Sequence, residues 1–435
     1  MRLAPRTHRW LFPGVLGLAG LGWLARGALP AVEGLGNWPA DVTEQATDEL
    51  RRATTGAEPG WSLKILQELP EPVNALTAST ADSGVAPGLL FVGTSPVGAV
   101  YKFNVLGTPG VITTLATGLG EQYRFGTCCV NRLALRDLDR DGTAELLAST
   151  SQVTPRGRPR LYAWSLDRNG PEPRGVARPD IASSWSHGLA LIPRADGQGD
   201  RAFLTFCGFG EIVEYQLKGM EDEHGYRHDA LGWKQVGQLD GCSGEWAEAA
   251  DIDNDGSPEL CIAAGFGVGK AAIEVFDPAE PGPGVVHALT IDEDHRFGNV
   301  RFLVGDLGGG AKEVVAWWIT DHLLGGDCEV IRYRVGPRGV EHREVIGRGD
   351  AGTLWPDDHQ STVADLDGDG RPEVWFATKG GDLYRYDPDG PDAPRKILHL
   401  DGGIGPITTG VVPNSKLPSM YLGWGKRVIR MEHAG

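Results

Sequence analysis

Asp365 to Glu373 reads DLDGDGRPE, inside the longer run STVADLDGDGRPEVWFAT. Asp365, Asp367 and Asp369 alternate, and Glu373 follows four residues later. Like charges packed this closely repel, so the loop either faces water as an acidic turn or is neutralised by a cation. The spacing suits a hard divalent ion. The three aspartates supply oxygens from positions 1, 3 and 5, the carbonyl of Arg371 from position 7 and Glu373 from position 9, while Gly370 permits the tight turn. An all-oxygen donor set favours calcium over zinc or copper.

The loop recurs. DLDRDGTAE runs from Asp137 to Glu145 and DIDNDGSPE from Asp251 to Glu259. Each copy follows an apolar run and leads into another: LALRD then LLAST, AEAAD then LCIAAG, STVAD then VWFAT. These flanks are short and rich in small or β-branched residues, which suits strands and not the helices of an EF-hand. The unit is strand, loop, strand.

With the second strand as a ruler, units fall at LLFVGT (Leu89), LLAST (Leu146), AFLTFCG (Ala202), LCIAAG (Leu260), VVAWW (Val314), VWFAT (Val374) and MYLGWG (Met420), at intervals of roughly 47 to 60 residues. Each is followed by a third, alternating strand such as RLYAWSL or CEVIRYRV, and a variable fourth precedes the next unit, as in RKILHL at Arg395 to Leu400. Four strands in each of seven units predict an all-β chain folded as a seven-bladed β-propeller. The last unit ends without a fourth strand, and an orphan strand, LKILQEL from Leu63 to Leu69, precedes the first. The N-terminal strand is therefore expected to complete the last blade and remove an exposed edge. The propeller spans 63–435, and 29–62, with DVTEQATDELRRAT, reads as a short amphipathic helix or a loose arm. Elsewhere the loops decay: IPRADGQGD keeps Asp196, Gly197 and Asp200, and DLGGGAKE keeps Asp306 and Glu313.

This pattern resembles the FG-GAP and VCBS repeat families, the calcium-loop propellers also found in integrin α-subunit heads and in secreted bacterial proteins. The resemblance implies about three structural calcium sites, each between the first and second strands of a blade. Carried over loop by loop, the ligands are Asp137, Asp139, Asp141, the carbonyl of Thr143 and Glu145; Asp251, Asp253, Asp255, the carbonyl of Ser257 and Glu259; and Asp365, Asp367, Asp369, Arg371 and Glu373. The families host adhesion modules, lectins and lyases alike, so the fold leaves function open.

The first 28 residues carry Arg2, Arg6 and Arg9 ahead of an apolar stretch and small residues near Ala28 to Ala31, the layout of a signal peptide, with an uncleaved anchor as the alternative. A secreted or periplasmic monomer is expected, with no membrane span after cleavage. The net charge of −17 argues against nucleic acid and against anionic membranes.

A propeller whose cations brace one face is expected to bind its ligand on the other, where the first strands begin. Counting back from each loop places Asn131 and Arg132, Ser186 and His187, Glu245 and Trp246, Val300 and Arg301, His359 and Gln360 around one funnel, with Trp185, Asn299, Asp357 and Asp358 just upstream. The first and last blades supply only Ala75, Leu76, Pro406 and Ile407. These polar groups either simply face water at a solvated mouth or recognise a ligand. Rings stack on apolar faces while charged groups make directional bonds, so the mixture suits a glycan, a small molecule or a protein partner. The alternative is an enzyme of lyase, epimerase or cyclase type, with His187, Glu245, His359, Asp358 and Arg132 doing acid/base work at the same place. No GxSxG, HExxH or phosphate-binding glycine loop is present.

There are six cysteines: 128, 129, 207, 242, 261 and 328. Structural disulfides are the expected reading, with Cys207 and Cys242 as the favoured pair and Cys261 as a buried small hydrophobe. A soft-metal site joining Cys128 or Cys129 to His187, His295 and His359 is the other reading.

Overall fold

The computed structural model describes residues 40–433 apart from short stretches between strands, the longest being 120–127, 153–158, 222–226, 240–243, 266–269, 279–283 and 321–325. The strands follow the sequence ruler: seven antiparallel sheets stand around one axis, the first six each built on four consecutive strands. Blade one holds Val73–Ala78, Leu89–Thr94, Val100–Asn104 and Thr113–Ala116; blade two holds Cys128–Arg136, Glu145–Gln152, Arg160–Asp167 and Gly170–Ala177. Blade three runs through Trp185–Pro193, Asp200–Cys207, Glu211–Glu221 and Arg227–Gln238, and blade four through Gly244–Ala250, Glu259–Ala264, Ala271–Pro278 and Val285–Asp294. Blade five is Asn299–Asp306, Lys312–Ile319, Asp327–Gly336 and Gly339–Asp350; blade six is Ser361–Ala364, Glu373–Ala377, Asp382–Tyr386 and Arg395–Leu400. First strands abut those of the neighbouring blades around the ring, the seventh against the first.

The second strands form the buried layer. Glu259–Ala264 and Glu373–Ala377 are buried at every position, which explains why they read as unbroken apolar runs. Side chains from adjacent blades fill the wedge between sheets. Trp318 of blade five, for example, shares a cluster with Cys261 and Ile273 of blade four.

Blade seven consists of Ile407–Val411, Pro418–Trp424 and Arg427–His433, and its fourth strand is Trp61–Glu68. Leu63 pairs with Met431 and Ile65 with Ile429, so strands from the two ends of the chain share one sheet. The closure expected from the orphan strand is present.

The described part of the arm before it packs on the last blades. Residues Ala40–Ala53 form a helix, α1, with Ala46 and Leu50 buried and Arg51 and Arg52 in the last turn, where the helix dipole favours cations. Leu50 packs with Leu400, Ile404, Trp424 and Met431. Glu49 meets Arg427 at 2.9 Å, and Thr54–Thr55 pair with His399 and Leu400, giving blade six a fifth strand. Residues 1–28, read as a signal peptide, lie outside the described residues; among the described ones no helix is long and apolar enough to cross a membrane.

Candidate functional site

Two sets of polar side chains stand out, one at the turns between first and second strands and one where the first strands begin.

The acidic loops join the first and second strands of blades two, four and six, and they share one hydrogen-bond pattern. The position-1 aspartate accepts from the position-6 amide: Gly142 N to Asp137, Gly256 N to Asp251 and Gly370 N to Asp365, each at 3.0 Å. The position-5 aspartate accepts from the position-7 amide at 2.7 to 2.8 Å. The position-9 glutamate reaches back to the position-2 amide, as Glu259 does to Ile252 N at 2.8 Å. Position 4 takes a positive φ in every copy, at Arg140, Asn254 and Gly368, as does the glycine at position 6. That double left-handed step turns the carboxylates inward.

Each loop gathers its carboxylates within 4.8 Å of one another: Asp137, Asp139 and Glu145; Asp251, Asp253, Asp255 and Glu259; Asp365, Asp367, Asp369 and Glu373. Buried oxygens at Asp137 (Oδ1), Glu145 (Oε1) and Asp251 (Oδ1) have no hydrogen-bond partner. Such atoms carry the full cost of desolvation unless a cation meets them, so the residues fit a hard divalent ion. Burial, reinforced by the neighbouring aspartates, pushes the Glu145 carboxyl up to about 8 and that of Glu259 up to about 7; Glu373 rises to about 7 by burial, against the pull of Arg385.

Arginines distinguish the loops. Arg385 bridges Asp367 and Glu373 at 2.6 and 2.7 Å, and Arg174 lies 3.3 Å from Asp141 and 3.9 Å from Glu145 Oε1. Among the described residues no basic side chain pairs with the blade-four acids. Where the loops have decayed, arginines pair with the acids that remain: Arg136 and Arg140 flank Asp200, and Arg332 and Arg334 clamp Glu313 at 2.7 and 2.9 Å.

At the other end of the first strands, the sequence expectation of a solvated mouth is corrected. His187, Glu245, Trp246, Arg301, His359, Gln360 and Asn299 are all buried, and only Arg132 among the resolved polar candidates is partly exposed. β-Bulges contribute in blades one to four, whereas the first strands of blades five and six pair without one. The register slips at Asn74, Asn131, His187 and Glu245, the same place in blades one to four. A bulge re-aims the side chain of the extra residue. Asn74 donates to the carbonyl of Val130 at 2.8 Å, and Asn131 donates to the carbonyl of Ser186 at 2.7 Å, so each amide clasps the next blade. Asn131 also donates to Ser151 Oγ at 2.6 Å and accepts from the Cys129 thiol at 3.0 Å.

Four blades meet around one indole. The Arg132 guanidinium lies 3.7 Å above the Trp246 ring, with the Arg301 guanidinium at 6.0 Å and the His359 imidazole at 5.2 Å between ring centroids. Arg132 also donates to His359 Nδ1. Because arginine only donates, that nitrogen is the acceptor and the ring proton sits on Nε2. His359 takes a positive φ of 63°, which is uncommon outside glycine and places its ring at the indole. Arg301 donates to the Glu245 carbonyl at 2.9 Å and lies 3.4 Å from its carboxylate, and it faces Trp355 at 5.9 Å. Gln360 donates to the Ile404 carbonyl. Ser186 and Val300 are fully buried in their strands. Asp357, Asp358, His295, Cys242 and the side chains of Trp185 and Cys128 lie outside the described residues.

Three features escaped the sequence reading. Glu248, two residues after Trp246, accepts from the indole Nε1 at 3.0 Å and from Val304 N at 2.8 Å, and enclosure by protein raises its pKa. The alternation in EWAEAAD was its signal. Asn74 was passed over because the first blade lacks a loop from which to count back, although VNAL at Val73 matches VNRL at Val130. Trp355 follows a four-residue helix, Ala351–Leu354, that no repeat pattern announces.

The expected disulfides are also corrected: Cys129, Cys207, Cys261 and Cys328 form none, so Cys207 is not joined to Cys242. Cys261 is the buried small side chain that its place in a second strand implied.

No family profile matches the chain, and no curated protein does. Among solved structures, the chain is similar to the Dos1 propeller, at 12% identity and a TM-score of 0.51, over 86% of this chain and 95% of that one. A candidate 6-phosphogluconolactonase from Bacteroides uniformis aligns at 13% identity and a TM-score of 0.46, over 76% of this chain and 86% of that one. At these identities the likeness is one of fold: the chain is a β-propeller.

Proposed function

We propose that the protein is an exported, calcium-stabilised propeller of the FG-GAP/VCBS kind that binds a glycan or protein partner through the face where its first strands begin. The calcium part rests on the three acidic loops with their common geometry, and on the buried oxygens without a hydrogen-bond partner in the loops of blades two and four. Calcium supplies positive charge that holds each turn closed; the aspartates and position-9 glutamates bind it and the left-handed residues shape the cradle.

The observation that carries the binding part is the Arg132, Trp246 and His359 group, drawn from blades two, four and six. Nothing local in any one blade requires these three side chains to meet. A cation and an imidazole on an indole combine a stacking surface with directional donors, the pairing that carbohydrate and carboxylate ligands use. Arg132 is the partly exposed member and is assigned the first contact.

Screening the calcium-loaded chain on a glycan array, with Arg132→Ala alongside, tests this reading. The wild type should retain a defined set of glycans that the variant loses. Glycan binding that Arg132→Ala leaves unaffected would move recognition away from this face.

A further inference from the structure

The bulges that re-aim His187 and Glu245 bring them to one place. His187 is the extra residue in the first strand of blade three, and Glu245 the extra residue in the first strand of blade four. Cys207 ends the second strand of blade three, opposite Trp185. An imidazole nitrogen, the thiol sulfur and a carboxylate oxygen of these three lie within 4.8 Å of one another. His187 and Glu245 are buried and Cys207 is half-buried.

Glycines make the approach possible. A methyl group on Gly188 would stand 2.4 Å from Ala247 N, and one on Gly244 would stand 2.8 Å from Thr205 Cβ. The backbones of blades three and four thus come closer here than side chains would allow, and the residues beside these glycines inherit that proximity.

We propose that His187, Cys207 and Glu245 form a zinc site, distinct from the acidic loops and independent of the calcium and ligand readings above. One nitrogen, one sulfur and one oxygen make a borderline donor set, suited to zinc and unsuited to calcium. Tetrahedral ligands around zinc stand about 3.5 Å apart, so small side-chain rotations from the observed spacing complete the site. Binding converts the Cys207 thiol to the thiolate and releases its proton to solvent. Three protein ligands leave one tetrahedral position for water or an anionic group, the arrangement of zinc sites that do chemistry and not of closed structural ones. Arg301 lies 3.4 Å from the Glu245 carboxylate, longer than a charge-assisted hydrogen bond, and orients it.

The test uses the purified full chain in excess calcium, so that the acidic loops are filled and counted in the same sample. Zinc titration should give one zinc per chain, and cobalt(II) in its place should give an intense thiolate-to-cobalt charge-transfer absorption. Cys207→Ser should abolish that absorption and Cys129→Ser should retain it. Glu245→Gln should weaken zinc by more than the ~10-fold to 100-fold that loss of an outer-shell partner costs. Absence of zinc binding in calcium, or an absorption that survives Cys207→Ser, would overturn the site. Should the variants fail to fold by circular dichroism, X-ray absorption at the zinc edge of the wild type decides: a single sulfur among nitrogen and oxygen ligands is expected, and none or several would refute the assignment. Calcium content is read separately, so either proposal can fail alone.

Discussion

Arg385 separates two of the acidic loops that look alike in sequence. Its guanidinium already neutralises Asp367 and Glu373 in blade six, whereas the blade-four acids face one another without a described basic partner. Calcium should therefore bind more tightly in blade four. Calorimetric titration of Asp253→Ala should show loss of the tightest class of sites, while Asp367→Ala should remove a weaker one; the reverse order would contradict the role given to Arg385. Protons compete for the same carboxylates. In the metal-free loops Glu145, Glu259 and Glu373 titrate at about 8, 7 and 7, above the ~4.3 of an unfolded glutamate. Between those values the folded chain holds more protons than the unfolded one, so metal-free stability is greatest at acid pH and falls as pH rises through 7 to 8. With calcium bound the carboxylates must be ionised, and the trend reverses. Melting temperatures in chelator and in calcium should diverge across this window by several degrees; parallel curves would mean that the glutamates do not hold the cation.

Strands were legible because acidic loops repeat at fixed positions beside them, and LKILQEL was legible because its partner blade lacked a strand. The bulges were not. A bulge changes no composition; it appears only when the register on both sides is known, so His187 and Glu245 could be counted as funnel residues but not seen to be buried. The cost of that burial can be measured at Asn131, whose amide clasps blade three. Asn131→Ala removes one of two side-chain donors to the Ser186 carbonyl, which keeps the Ser151 hydroxyl at 3.0 Å, and should destabilise the fold by ~0.5–1.5 kcal/mol in denaturant unfolding. An unchanged midpoint would mean that the clasp is replaced by water. Helix α1 was read as either a helix or a loose arm, and its burial of Leu50 against the last two blades makes it part of the ring. Deletion through Gly60 should lower the melting temperature but leave the protein soluble, whereas deletion through Leu69 also removes the fourth strand of blade seven and should cause aggregation. Equal solubility of the two truncations would show that Trp61–Glu68 is not the closing strand.

At the scale of the ring, the proposed cations and the observed arginines would perform the same task at different blades. Complete acidic loops in blades two, four and six alternate with blades three and five, where Arg136 and Arg140 on Asp200, and Arg332 and Arg334 on Glu313, replace the ion with fixed charge. On the proposed reading the five acidic turns are neutralised in two ways, and only one of them responds to chelation. Loss of bound ions removes stability that grows with the logarithm of concentration over dissociation constant, about 2.7 kcal/mol for one site at a hundredfold excess. The most direct test is the number of calcium ions held by the full chain after exhaustive dialysis against trace calcium, measured by elemental analysis and repeated on Asp253→Ala. Three per wild-type chain and two per variant are predicted; none or one in the wild type, or a count that Asp253→Ala does not change, would contradict a calcium-stabilised propeller.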